Sequence, residues 1–279
     1  MMSFSADWLA LREPADHAAR SKSLLAEVAG AFAGRDAINV VDLGCGAGSN
    51  LRGTAEALPD RQYWRLVDYD PKLLAAARGR LTAWADGAAS DGDVLVLTKG
   101  AKSLRVTFIQ ADLNTDLDRV LAPSADLVTA AALFDLVSTN WLERFVAALA
   151  RRRLPLYTVL TYDGTENWAP PHPADQAMLE AFHAHQATDK GFGPAAGPGA
   201  TTIMAEAFAR AGYTVRQASS PWHIGPGMAD LAEQLVAGFA GAVGETGRVA
   251  QADIDAWLAA RRGGVTCRTG HQDLFAVPR

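Results

Sequence analysis

Asn39-Val40-Val41-Asp42-Leu43-Gly44-Cys45-Gly46-Ala47-Gly48-Ser49-Asn50 is the stretch whose reading decides the fold. Two β-branched valines lead to an acid, and three glycines then fall at alternate positions. This is the pattern of a buried strand that stops at a tight turn and opens a helix. Glycine there permits positive φ and lets another group approach the backbone closely. The helix behind the turn presents free N–H groups and the positive end of its dipole, so a nucleotide-like ligand is expected at this place.

Working outward, strands and helices alternate. The strand covers about 37–43, and a helix follows through Leu51, Ala55 and Leu58 to Pro59. Tyr63-Trp64-Arg65-Leu66-Val67 reads as a second strand entering Asp68-Tyr69-Asp70-Pro71, where Pro71 suits the first position of the next helix. Residues 93–97 and 104–109 flank a polar link with a glycine. They predict a hairpin whose second arm is the third sheet strand and whose first arm is an added edge. Further strands are expected at 126–131, 155–162, 213–218 and 270–277. The alternation predicts an α/β fold, a doubly wound and mostly parallel sheet.

The first 35 residues read as helical. A short turn around Trp8 is expected to break at Pro14-Ala15-Asp16, ahead of a longer helix carrying Leu24, Leu25, Val28 and Phe32. Arg20, in this region, can turn toward an anionic ligand group. Two insertions interrupt the alternation. One, at about 165–200, holds a helix through Met178, Leu179 and Phe182 and a Gly/Pro-rich loop. The other, at about 222–262, carries an amphipathic stripe from Met228 to Phe239. No repeat and no linker separates two cores, so 1–279 is expected to form a single domain with two helical caps.

Composition narrows the function classes. Hydrophobic residues make up 49% of the 279-residue chain, enough for a large core. The net charge of −5 argues against a broad grip on nucleic acid. Two cysteines, Cys45 and Cys267, lie far apart and offer neither a disulfide framework nor a zinc spacing, so no metal site is expected. Neither a signal-like segment nor an apolar run of membrane-spanning length is visible. A soluble cytoplasmic protein is expected, with a small-molecule partner and no membrane.

Val40-Val41-Asp42-Leu43-Gly44-Cys45-Gly46-Ala47-Gly48-Ser49 resembles the first motif of the class I S-adenosylmethionine-dependent methyltransferases, h-h-D/E-x-G-x-G-x-G. Val67-Asp68-Tyr69-Asp70-Pro71 is similar to their second motif, with Asp68 as the ribose acid. Gln110-Ala111-Asp112-Leu113 is similar to the segment after the third strand, where an acid meets the adenine amino group. Residues 126–133 match the fourth strand and its mouth, and 270–276 resemble the family's final antiparallel strand. The resemblance implies a Rossmann-like seven-stranded sheet with an antiparallel last strand, plus the added edge. It implies S-adenosylmethionine as cofactor, held by Asp42, Gly44, Cys45, Gly46, Asn50, Asp68, Tyr69, Asp112, Leu113 and Ala131. A nicotinamide-dependent oxidoreductase is the weaker alternative, because Ser49 stands where the dinucleotide fingerprint wants its third glycine.

The acceptor is constrained by what is missing. Family members that methylate exocyclic amines of nucleic acids carry Asn/Asp-Pro-Pro-aromatic after the fourth strand, and here that place holds Ala130-Ala131-Ala132-Leu133-Phe134. No cysteine follows a proline there either. A small molecule, methylated on oxygen or nitrogen in a covered pocket, is therefore expected. An RNA or protein methyltransferase and a non-catalytic cofactor-binding partner are the alternatives. Candidate proton acceptors are Tyr162 and Asp163, at the carboxyl end of the fifth strand, and His185, beside the flexible loop.

Overall fold

The computed structural model describes residues 4–122, 124–262 and 264–279. Residues 1–3 of the expected N-terminal segment thus lie outside the described residues. Two helices, α1 (Ala6–Ala19) and α2 (Lys22–Ala31), precede β1 (Ala37–Leu43). After β1 come α3 (Ser49–Thr54), β2 (Arg61–Asp68) and α4 (Pro71–Trp84). A meander of β3 (Gly87–Asp91), β4 (Val94–Lys99) and β5 (Lys102–Gln110) leads through α5 (Leu117–Leu121) to β6 (Leu127–Ala131). Next are α6 (Thr139–Arg152), β7 (Leu156–Ala169), α7 (Asp175–Gln186), α8 (Ala200–Arg210) and β8 (Tyr213–Ser219). The chain closes with β9 (Trp222–Ile224), α9 (Ala229–Thr246), α10 (Gln251–Ala259) and β10 (Thr266–Pro278).

All ten strands among the described residues join one sheet in the order β3-β4-β5-β2-β1-β6-β7-β10-β8, with β9 paired to β10. The five strands β5, β2, β1, β6 and β7 run parallel, and β10 lies antiparallel between β7 and β8. Helices cover both faces, so the central strands are apolar on both sides. Val40 joins one core with Ile38, Trp64 and Leu104, while its neighbour Val41 joins the other with Val67, Trp141 and Phe145. Alternation across the pleat is what sends adjacent valines to opposite cores. α6 buries Trp141, Leu142, Phe145, Val146 and Leu149 along one stripe, and Ser138 caps it by accepting from Trp141 N at 3.2 Å.

Two local expectations are corrected, and two strands, β3 and β9, are additions. Pro14 does not break the first helix; α1 runs through it, and the chain bends instead at Arg20, where Ser21 caps α2 by accepting from Leu24 N. The fifth strand does not end at Tyr162 but continues to Ala169, so the first insertion starts later than residue 165. Pairing with β10 decides this: Glu166 faces Thr269, Trp168 faces Cys267, and a register shift between Thr269 and His271 absorbs the Asp163-Gly164 bend. β3 has no strand-forming composition and exists through its ladder with β4. β9 likewise forms only against β10, at Trp222, His223 and Ile224. No described helix is long and apolar enough to cross a membrane.

Candidate active site

β1 is flanked by β2 on one side and β6 on the other, so the order of strands reverses there. In open parallel sheets the crevice beyond the carboxyl ends at such a point is where ligands sit. The glycine turn lies in this crevice. Gly44, Gly46 and Gly48 take φ of 62°, 51° and 75°. The turn is tied down by Cys45 N donating to Val67 O and Gly48 N donating to Cys45 O, both at 2.9 Å. A Cβ on Gly46 would lie 2.9 Å from Leu9 Cδ1, and one on Gly44 would lie 3.2 Å from Leu133 Cδ1, so a side chain there would push these leucines aside in addition to straining the backbone.

A cavity of about 600 Å³ opens over the turn, within the size range of small-molecule sites. Gly44, Cys45, Gly46, Asn50, Asp68, Tyr69, Leu113 and Ala131, all expected from the sequence, line it. Gln110 and Ser49 line it too. Asp68 Oδ2 accepts from Gly46 N at 2.8 Å and Oδ1 from Asp70 N at 3.0 Å, while burial raises its pKa. The strand end, the turn and Asp68 are thus brought together.

Three expected residues are placed elsewhere. Asp42 is fully buried beneath the turn, where Asn50 Nδ2 donates to its Oδ1 at 2.7 Å and also to Thr129 Oγ1 at 2.9 Å. Burial pushes Asp42 up to about 7. It props the turn from behind and has no cavity face. Arg20 is also buried behind the turn, against Gly53, and donates to Thr54 Oγ1 at 3.0 Å. Its charge acts on Asp42 and Asp273. Asp112 is outside the cavity lining, because its Oδ1 accepts from Asn114 N at 2.9 Å and closes the turn ahead of α5.

A second chamber of about 660 Å³ adjoins the first, and Phe4, Arg12, Ala132, Leu136 and Lys190 line both. Ala132 leaves β6 with φ of 50°, and Leu160 in β7 has φ of 61°, two left-handed non-glycine residues on the chamber wall. Leu160 is held there by donating its N–H to Asp273 Oδ1 at 2.9 Å.

Among the expected catalytic residues, Tyr162 and His185 line this chamber and Asp163 does not. The Tyr162 hydroxyl is 3.1 Å from His183 Nε2, and burial raises its pKa further above the ordinary phenol value. His185 Nε2 is 3.0 Å from Glu245 Oε2. Asp163 Oδ1 accepts from Thr165 N at 2.9 Å and fills the space over Gly270, a turn-capping position.

Three chamber acids were not anticipated, Asp135, Glu166 and Glu245, the last of them the partner of His185. Asp135 is 9% exposed, its Oδ1 has no hydrogen-bond partner among the described residues, and burial pushes its pKa up to about 6. Glu166 Oε1 accepts from Cys267 Sγ and Thr269 Oγ1, both at 3.0 Å, and burial pushes it up to about 7. It sits on the part of β7 that turn-like composition concealed. Asp135 follows the apolar mouth of the fourth strand directly, a position that could have flagged it. His271, on β10, lines the chamber and is pushed down to about 3 by burial.

α1 covers both chambers, contributing Leu9 and Asp16 to the first, Trp8 to the second and Arg12 to each. Arg12 Nε is 3.0 Å from Asp16 Oδ2, and its guanidinium lies 4.9 Å from the centre of the Trp222 ring. Trp222 Nε1 donates to Asp16 Oδ1 at 3.1 Å, and Arg52 pairs with Glu13 through two bonds of 2.7 and 2.6 Å.

No protein-family model matches the sequence. No curated protein matches it by sequence either. Solved structures do match. The YcgJ protein of Bacillus subtilis aligns with 93% of this chain and 99% of its own, at TM-score 0.51 and 13% identity. A candidate methyltransferase from Bacillus halodurans aligns over 92% and 100%, at TM-score 0.51 and 11% identity. A cyclopropane-fatty-acyl-phospholipid synthase-like protein from Lactobacillus casei aligns over 94% and 91%, at TM-score 0.53 and 15% identity. Identities this low speak for the fold alone. With β10 inserted antiparallel beside a parallel sheet that switches at β1, the chain has the fold of the class I S-adenosylmethionine-dependent methyltransferases.

Proposed function

We propose that this protein is an S-adenosylmethionine-dependent methyltransferase whose acceptor is a small molecule held in the second chamber. The observation that carries this is the pair of adjoining chambers: one cradled by bare glycine backbone and ending in Asp68, the other walled by aromatic rings, the buried Asp135 and the half-buried Glu166. The residues of the first suit the cofactor. The Gly44-Cys45-Gly46 backbone leaves room for its amino-acid end, Asp68 offers two oxygens to the ribose hydroxyls, and Tyr69, Gln110 and Leu113 surround the place for adenine. When bound, the cofactor supplies an electrophilic methyl carbon on a cationic sulfur.

The chain's own groups do the rest. α1 and the rings around the second chamber exclude water and fix the acceptor against the shared wall at Ala132. Asp135 and Glu166, with pKa values raised toward neutrality, take the acceptor's proton. Tyr162 holds its own proton too firmly for that task and acts by positioning, and the two buried free thiols, Cys45 and Cys267, suit a reducing cytoplasm.

Calorimetric titration with S-adenosylhomocysteine, the demethylated product, tests the proposal. Saturable one-to-one binding is expected. No heat of binding at millimolar ligand, or a preference for NADH, would overturn it.

A further inference from the structure

The second chamber has a charge character that its aromatic lining sharpens. Trp8, Trp168, Trp222, Phe182 and Phe239 line it, and Phe182 stacks on Phe239 at 4.5 Å between ring centres. Four basic or acidic groups at its wall are already matched or neutral. Arg12 is bound by Asp16 and spread over Trp222, and His185 and Glu245 pair with each other. His271 stays uncharged because burial disfavours its imidazolium. Lys190, on the loop after α7, donates to Thr188 Oγ1 at 2.9 Å and forms no ion pair with Asp135 or Glu166 among the described residues.

Asp135 and Glu166 remain: the charge of Arg12 reaches Asp135 but is already bound by Asp16, and neither acid forms an ion pair among the described residues. Asp135 is more than nine-tenths buried, and its Oδ1 has no partner among the described residues. Glu166 takes only a thiol and a hydroxyl on Oε1. A buried carboxylate left without a counter-charge is costly, and a cation arriving between it and aromatic faces removes that cost. A neutral hydroxyl could donate one hydrogen bond to Asp135 but would leave the charge unmatched.

We propose that the second chamber recognises a small molecule by a protonated amine, seated among the aromatic rings and against Asp135 and Glu166. Naming that molecule as the methyl acceptor rests on the methyltransferase reading above; the cation preference itself does not. Once seated, the ammonium group passes one proton to a carboxylate, the nitrogen keeps the electron pair, and the proton leaves to water when the chamber opens. The amine is thereby both selected as a cation and made nucleophilic.

The test compares two probes of the same shape, choline and 3,3-dimethylbutan-1-ol, which differ in carrying a positive charge. Binding is read by quenching of the intrinsic tryptophan fluorescence of the full chain, to which Trp8, Trp168 and Trp222 in the chamber contribute. The cation is expected to bind at least tenfold more tightly than its neutral counterpart. Asp135→Asn and Glu166→Gln, which keep shape and remove charge, should each shrink that ratio. Equal binding of the two probes to the unaltered protein overturns the inference, with no variant needed. S-adenosylhomocysteine is titrated in parallel: if it binds while the probes are not distinguished, only the amine inference falls. If it does not bind while the cation is preferred, the chamber's selectivity stands and the acceptor role falls with the methyltransferase reading.

Discussion

At the scale of single residues, the division of labour among the acids follows their surroundings. Asp42, Asp68, Asp112 and Asp163 all end strands or turns, and their sequence contexts look alike. The structure separates them by what each oxygen already accepts. Asp68 alone of these four faces the first cavity. Asp68→Ala removes two acceptors for charge-assisted hydrogen bonds, each worth about 1.5–3 kcal/mol. S-adenosylhomocysteine affinity is expected to fall by at least about tenfold on that scale, read by calorimetry; unchanged affinity would remove Asp68 from the cofactor site. Asp42 makes a different prediction. Folded, it holds its proton up to about 7, against 3.8 as the ordinary value. The native state therefore binds the extra proton between those values. Its contribution to stability is present below 3.8 and lost as pH rises toward 7. Asp42→Asn should flatten the dependence of the thermal midpoint on pH between pH 4.5 and pH 8 in the ligand-free protein. A slope identical to that of the unaltered protein would mean that Asp42 ionises freely.

Elements show which local signals prevail and which yield. Pro14 has a strong breaking tendency, yet α1 passes through it because Glu13 is pinned by Arg52, Asp16 by Trp222, and Arg12 lies over the Trp222 ring. Asp163-Gly164 is good turn chemistry, yet β7 continues because β10 satisfies its backbone. The caps depend on a similar pin. Arg261, after α10, has a side chain with 0% exposure, lies 3.8 Å from the Trp257 ring centre and pairs with Asp175 at the start of α7. Trp257 Nε1 donates to the same Asp175 oxygen at 2.7 Å. Asp175→Ala leaves a buried guanidinium without its counter-charge, a loss of about 3–5 kcal/mol. The urea midpoint should drop accordingly, and a change within measurement error would mean that the caps are held by apolar packing alone.

For the whole molecule, the sheet order places the site and the insertions shape it. A ligand that bridges β1, β2, β5 and β6 through the turn and the strand ends binds only the folded chain. At one hundred times its dissociation constant, S-adenosylhomocysteine should add about 2.7 kcal/mol of stability, raising the thermal midpoint by roughly 5–10 °C. No shift at saturating ligand would mean that the cavity over the turn is not its site.

The sequence by itself determined the central sheet, the glycine turn and the acid at the end of β2. These depend on periods of two and on glycine conformations, which are properties of neighbouring residues. It also marked most of the first cavity, because a turn and the strand end beside it are local objects. What only the tertiary structure decided is which acids face a ligand. Asp42 and Arg20 are turned away by their own buried bonds, whereas Asp135 and Glu166 are carried into the second chamber by β6, by the extended β7 and by its pairing with β10. That pairing joins residues about a hundred positions apart, and no local pattern encodes it.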